Sequence, residues 1–278
     1  MGRLAGAVAW ISGSTSGIGE AAARLFAEEG AAVAVVGRRA ALADRIAGEI
    51  VDAGGRAISA PCDVADPQEI ARSIRTTAEA FGSLSVLVNN SGMVDVRMLH
   101  DYSIDEWDRV VNVNLRSVFL AFKEAYPYLA RRDRAYVVNV GSISSFVGQA
   151  STPVYTTTKH ALLGLSRSIA LDYARDGIRC NCVCPGITDT PMLREHLDAT
   201  PDPEATLRRR LERVPMGVPL TPHDVARSIL YFSCEDSAGI TGTSLTVDCG
   251  YLTAAEWDSS EGTGFQQIPA AATKGRVP

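Results

Sequence analysis

Three residues in the 278-residue chain have the types and spacing to do chemistry together: Ser142, Tyr155 and Lys159. The last two bracket the run Tyr155-Thr156-Thr157-Thr158-Lys159, which reads as the opening of a helix. Residues at i and i+4 share a helix face, so the ammonium can lie beside the phenol. A neighbouring cation favours phenolate and draws a tyrosine pKa down from its reference of about 10, towards proton exchange at working pH. Tyr155 is therefore a candidate general acid or base. Alone, such a pair reads better as a surface contact, so its surroundings decide.

The surroundings include a second chemical motif, Ser12-Gly13-Ser14-Thr15-Ser16-Gly17-Ile18-Gly19, between an apolar strand and the helical run Glu20–Glu29. Glycines permit positive φ and close backbone approach, and a helix N-terminus offers unpaired N–H groups with a positive dipole; together they suit a pyrophosphate. Gly13, Ser14, Ser16, Gly17, Ile18 and Gly19 are the candidate contacts. Tight strand–helix packing is the alternative use of such a turn. At the end of the second strand the order is Val35-Val36-Gly37-Arg38-Arg39. A carboxylate there would suit a ribose 2′-hydroxyl, whereas a guanidinium suits a 2′-phosphate. Arg38 and Arg39 thus favour NADP(H), with NAD(H) as the other option, since an arginine can also stack on adenine or face solvent.

Positioning these groups requires a scaffold, and the rest of the chain supplies its pattern. Ala7–Ile11, Ala32–Val36, Ala57–Ala60, Val86–Val88, Tyr136–Val140, Cys180–Val183 and Leu245–Val247 read as strands separated by helical stretches. Their hydrophobicity is continuous, as in parallel strands covered on both faces. Asp66-Pro67, Ser103-x-x-Glu106 and Thr221-Pro222-His223-Asp224 read as helix starts. The predicted fold is α/β, a doubly wound seven-stranded parallel sheet with helices on both faces, formed by one domain over residues 1–250. Residues 187–217 interrupt the rhythm and are expected to form a lid. Within them Arg208-Arg209-Arg210 reads as a solvated helix face rather than an anion site. Residues 251–278 form a C-terminal extension, rich in Gly, Ser, Thr, Gln and Pro from 256 onwards, a composition expected to be disordered.

Composition excludes several classes. With 46% hydrophobic and 21% charged residues the chain is of ordinary globular type, and a net charge of −5 gives no basic excess for nucleic acid or a membrane surface. No run reaches the roughly 18 apolar residues of a membrane span, and the N-terminus lacks a signal-peptide layout, so a cytoplasmic location is expected. The six cysteines are expected as reduced thiols. Cys180, Cys182 and Cys184 alternate, which puts their sulfurs on one strand face as small hydrophobes, without zinc spacing. No metal is expected.

Taken in order, Gly13-x3-Gly17-x-Gly19, Asp63-Val64, Asn89-Asn90-Ser91-Gly92, Asn114, Ser142, Tyr155-x3-Lys159, Pro185-Gly186 and Thr190 resemble the short-chain dehydrogenase/reductase family over residues 5–250. The resemblance implies a Rossmann-like fold and hydride transfer between a nicotinamide cofactor and a secondary alcohol or ketone. It implies that Asp63 and Val64 hold the adenine and that Asn90 and Gly92 flank the adenosine side. Lys159 would also bind the nicotinamide ribose, and Pro185, Gly186, Thr188 and Thr190 would touch the nicotinamide end. Ser142 would hydrogen-bond the substrate oxygen, Tyr155 exchange its proton, and Asn114 anchor a water that relays protons from Lys159. A homotetramer is implied as well, paired through helices such as 151–174.

A wall of Met98, Ile143, Val147, Gln149, Val154, Met192 and Leu193 suggests a small apolar or cyclic substrate. Reduction of an enoyl thioester is disfavoured, because the related enoyl reductases space their Tyr and Lys further apart. A catalytically silent dinucleotide sensor or scaffold is the alternative from another class. Three positions depart from the family pattern: Ser12 for Thr, Ser91 for Ala and Cys249 for Gly.

Overall fold

Apolar residues at every position of a strand need a partner layer on each side, and the computed structural model, which describes residues 2–253, supplies both. Seven parallel strands form one sheet: β1 (Val8–Ser12), β2 (Ala32–Val36), β3 (Arg56–Ser59), β4 (Val86–Asn89), β5 (Ala135–Val140), β6 (Ile178–Pro185) and β7 (Ser244–Val247). Their order is β3-β2-β1-β4-β5-β6-β7. The winding reverses between β1 and β4, and a crevice opens there beyond the carboxyl ends of the strands.

Successive residues of each strand feed opposite layers. Ala9, Ile11, Val33, Val35 and Val88 pack with helices α1 (Gly17–Glu28), α2 (Ala40–Asp52) and α9 (Pro222–Tyr231). Val8, Trp10, Ala34, Leu87 and Val137 face α3 (Pro67–Phe81), α5 (Ser117–Leu129) and α6 (Pro153–Asp172). Cys180 joins the second layer, and Cys182 and Cys184 pack with Leu163 of α6. All six cysteines are free.

Local signals fix the helix ends. Asp66 accepts from the backbone N–H groups of Gln68 and Glu69 at the start of α3. Ser103 and Glu106 form a capping box at α4 (Ile104–Val111), as do Thr221 and Asp224 at α9. Residues 187–217 contain two further helices, α7 (Pro191–Asp198) and α8 (Pro203–Leu211), each with a capping side chain, Thr190 or Asp202, before its first-turn proline. Between α4 and α5 the chain makes one π-helical turn, Asn112–Arg116. Among the described residues no helix is long and apolar enough to cross a membrane. The tail at 254–278, most of the expected C-terminal extension, lies outside the described residues.

Candidate active site

Tyr155 lies in the first turn of α6 and Lys159 one turn further on. The Lys159 side chain is 4% exposed, donates from Nζ to the Val140 carbonyl at 2.8 Å, and sits 5.6 Å from the centroid of the Tyr155 ring. A buried ammonium needs such a fixed acceptor. Ser142 follows β5 as the cap of a short 3-10 turn, Ile143–Ser145, accepting from the Ser144 N–H at 3.1 Å. The strand-to-turn transition therefore aims Ser142 into the same crevice as Tyr155 and Lys159.

Asn114 occupies the centre of the π turn, 1% exposed. Its Nδ2 donates to the Met93 carbonyl at 2.9 Å and to Thr158 Oγ1 at 3.2 Å, and its Oδ1 accepts from the Met93 N–H at 2.8 Å. A side chain on Gly92 would stand 3.6 Å from Asn114 Oδ1 and 3.7 Å from Lys159 Nζ, so Gly92 separates the two by little more than its own backbone. π-helical turns inside longer helices recur at functional sites, and this one turns an amide onto the loop after β4.

The crevice is a cleft of about 1360 Å³. Along it lie Gly13, Ser16, Gly17, Ile18, Arg38, Arg39, Asp63 and Val64, then Asn90, Gly92, Ser142, Tyr155 and Lys159, then Pro185, Gly186, Thr188 and Thr190. Three expected site residues stand behind this wall. Asn114 touches its lining through the Met93 backbone, which it holds by two hydrogen bonds. Gly19 allows α1 to close on the turn, since a Cβ there would lie 2.3 Å from the Gly13 carbonyl oxygen. Ser14, expected to touch a phosphate, is fully buried; its N–H donates to the Val36 carbonyl and its hydroxyl to the Ile11 carbonyl, and it accepts from the Val36 N–H. It ties the turn to β1 and β2.

The residues present fit a dinucleotide. Gly17 has φ +57°, the N-cap Ser16 makes no side-chain bond to the helix, and the donor end of α1 opens on the cleft as an anion cradle. Exposed Arg38 and Arg39 stand at the end of β2, and Asp63 is fixed nearby by accepting from the Ala65 N–H at 2.9 Å. Asn90 braces the turn, donating from Nδ2 to the carbonyls of Ser12 and Gly13. The Ser12 hydroxyl, in place of the family's threonine, accepts from the N–H groups of both Asn90 and Ser91 at 3.0 Å. Asn89 donates to Asn139, which donates to Ser166, linking β4, β5 and α6.

A family model described as enoyl-(acyl carrier protein) reductase, within the short-chain dehydrogenase/reductases, matches residues 13–252. The chain belongs to the short-chain dehydrogenase/reductase family. It is 39% identical over 245 residues to the cis-4-hydroxycyclohexanecarboxylate dehydrogenase of Sinomonas cyclohexanicum, covering 88% of this chain and 96% of that one. It is 35% identical to dehydrogenase/reductase SDR family member 6 of Danio rerio, covering 90% and 99%. Among solved structures it is similar to a Beutenbergia cavernae protein provisionally assigned as an NAD(P)-dependent gluconate 5-dehydrogenase, with NADP bound at low occupancy (TM-score 0.85, 29% identity, coverage 90% and 98%). The fold is the family's Rossmann-like one, and the chain is an oxidoreductase of the NAD(P)-dependent dehydrogenase type.

In this short-chain dehydrogenase/reductase the lining of the cleft agrees only in part with the expected substrate wall. Ile143, Val147, Gln149, Met192 and Leu193 line it. Val154 is fully buried in the interior and Met98 is 55% exposed elsewhere. Met93, Val94 and Val96 after β4 and a polar group from residues 187–217, Glu195, His196, Arg209, Arg210 and Arg213, also line the cleft, without a motif in the sequence to announce them. Arg209, exposed, and Arg210, half-buried, border the cleft while belonging to the basic run expected as a solvated face. Arg208 keeps to that expectation, exposed and paired with Glu204 at 3.6 Å. Arg209 and Arg210 lie in the last turn of α8 and Arg213 two residues past its end at Leu211, whereas Arg208 does not border the cleft.

Proposed function

We propose that the chain interconverts a secondary alcohol and a ketone with NADP(H), Tyr155 acting as the general acid or base. The observation that carries this reading is the Lys159 ammonium, buried, held by the Val140 carbonyl and set beside the Tyr155 ring at an open cleft. A structural lysine would have no need of that proximity to a phenol.

The turn from Gly13 to Gly19 and the donor end of α1 would hold the pyrophosphate, Arg38 and Arg39 the 2′-phosphate, Asp63 and Val64 the adenine, and Lys159 with Pro185–Thr190 the nicotinamide end. When bound, the nicotinamide accepts or supplies the hydride. The chain's own residues handle the oxygen. Ser142 donates a hydrogen bond that polarises the carbonyl, Tyr155 gives its proton to that oxygen in reduction and takes it in oxidation, and Lys159 stabilises the phenolate left behind. Asn114, fixed by Met93 and Thr158, supports a water that returns the proton to solvent.

Ile143, Val147, Met192 and Leu193 suit an apolar or alicyclic substrate, in keeping with the ring alcohol in the name of the Sinomonas relative. The three-residue gap between Tyr155 and Lys159 favours carbonyl chemistry over the enoyl reduction in the family model's description. Residues 187–217 would act as a lid. Exposed Phe119 of α5 and Leu171 of α6 offer apolar contacts for a cytoplasmic homotetramer.

The test is reduction of a panel of alicyclic ketones with NADPH by the wild type and by Tyr155→Phe. Turnover should be present in the first and lost by a factor on the order of 10² to 10⁴ in the second, with NADPH binding retained. NADPH binding without turnover of any ketone or alcohol would favour the silent sensor instead.

A further inference from the structure

The cleft is more basic than a protein of net charge −5 would lead one to expect. Its cofactor half uses Arg38, Arg39 and Lys159. Arg109, Arg209, Arg210 and Arg213 also line it, and among the described residues the acids lining it are Asp63 and Glu195. Arg109 is neutralised by Asp95 at 2.7 Å. Arg209, Arg210 and Arg213 have no ion-pair partner among the described residues.

Arg209 and Arg210 in the last turn of α8 and Arg213 just beyond its end bring three like charges to the cleft, where they repel one another. Affinity for the negative end of the α8 dipole explains basic residues in its last turn. It does not explain why Arg209 and Arg210 line the cleft, with Arg213 beyond the helix end beside them, while Arg208 pairs outside with Glu204. Arg213 is steadied by the Tyr251 ring, its guanidinium carbon 5.2 Å from the centroid, and Tyr251 lines the cleft too. Arg210 is half-buried and stands near His196 of α7. His196 is held below the ordinary histidine range, by burial first and the Arg210 charge second, against weaker opposing effects of Glu195 and the Val94 backbone. That contact with Val94 puts the basic wall across from the Met93–Val96 loop, whose Met93 is held by Asn114. The arginines therefore belong to the substrate half of the cleft, away from Arg38 at the end of β2.

We propose that Arg209, Arg210 and Arg213 recognise an anionic group on the substrate, an alcohol or ketone that carries a carboxylate, sulfonate or phosphate at some distance from the reacting carbon. This rests on the oxidoreductase reading and narrows its substrate class. A guanidinium fork binds such groups through two parallel hydrogen bonds, and the apolar wall of Ile143, Met192 and Leu193 would hold the carbon skeleton between anion and reacting centre. The anchor would fix the position of the reacting carbon more sharply than apolar contact alone.

The experiment titrates the NADPH-loaded full chain by calorimetry with cyclohexanecarboxylate, cyclohexanesulfonate, cyclohexyl phosphate and cyclohexanol. At least one anion should bind roughly tenfold or more tightly than cyclohexanol, as charge-assisted hydrogen bonds provide, and the anion that wins identifies the group. Arg210→Gln with Arg213→Gln should erase that advantage, and Arg208→Gln should leave it intact. Anions that bind no better than cyclohexanol overturn the proposal, as does an advantage that survives the double substitution. An equal loss of NADPH affinity in the double variant also overturns it, by assigning the arginines to the cofactor. The titration needs no turnover, so failure of ketone reduction sinks the oxidoreductase reading separately while the arginine result stands.

Discussion

Asn114 and Met93 are joined at two points: the amide Nδ2 donates to the Met93 carbonyl at 2.9 Å while Oδ1 accepts from the Met93 N–H at 2.8 Å. The pairing copies a strand ladder with a side chain, and the π turn brings the amide within its reach. It pins the loop after β4 against α6, with Thr158 as the third partner.

That arrangement separates structural from chemical effects. Asn114→Ala strands two backbone groups of Met93 and should cost about 2 kcal/mol, lowering the Tm by roughly 4–8 °C for a domain of this size. Thr158→Val removes only the third bond and should cost about 1 kcal/mol, with a smaller loss of turnover. Thermal melts and turnover for both variants decide it. Equal effects would show that the Met93 pairing is not what holds the loop.

Among the described residues Lys159 donates to one acceptor, the Val140 carbonyl, and its position beside Tyr155 depends on it. Lys159→Met should keep the fold, since a methionine fills the same channel, yet lower turnover by a factor on the order of 10² to 10⁴ and weaken NADPH binding. Turnover within tenfold of the wild type, measured on protein with an unchanged melting curve, would remove Lys159 from the proposed chemistry.

Arg38 is exposed at the end of β2, where the cleft receives it beside Gly37. Thr15 packs so closely on Gly37 that a Cβ there would meet Thr15 Oγ1 at 2.7 Å, which keeps the chain from swinging Arg38 away. Arg38→Asp should raise the Kd for NADPH by roughly tenfold or more through loss of a charge-assisted contact and leave NADH unchanged or slightly tighter. Fluorescence titration with both nucleotides measures the ratio. A ratio equal to the wild type's would assign the 2′-phosphate to other residues.

The sheet was legible because burial on both faces leaves continuous apolar runs, and all seven expected strands are present. β6 starts before the expected Cys180 because the polar Arg179 is accommodated by a bond from its Nε to the Ala238 carbonyl. Such partners are remote in sequence and leave no periodic mark. The Tyr155, Lys159 and Ser142 convergence was readable from motif order. The π turn at Asn114 was not, since its i to i+5 bonding has no residue signature. Thr190-Pro191 and Asp202-Pro203 carried the same cap-and-proline signal as Asp66-Pro67, so α7 and α8 could have been found, and with them the direction in which Arg209 and Arg210 face.

Cys249, where the family pattern has glycine, adopts φ +53°, a left-handed conformation that a side chain tolerates poorly. The turn is fixed from both sides: the Cys249 carbonyl accepts from the Met216 N–H, and Asp248 accepts from the N–H groups of Gly250 and Leu252. The backbone therefore cannot relax to suit the residue. Cys249→Gly should be neutral or stabilising within about 1 kcal/mol, relief of the left-handed penalty offsetting the looser unfolded chain. Cys249→Val should destabilise by about 1–2 kcal/mol, because a β-branched side chain fits this region worst. The order is diagnostic, since at a partly buried site with ordinary φ the larger apolar valine would be the more stable of the two. Melting curves in which valine exceeds glycine would show that this turn does not hold Cys249 left-handed in solution.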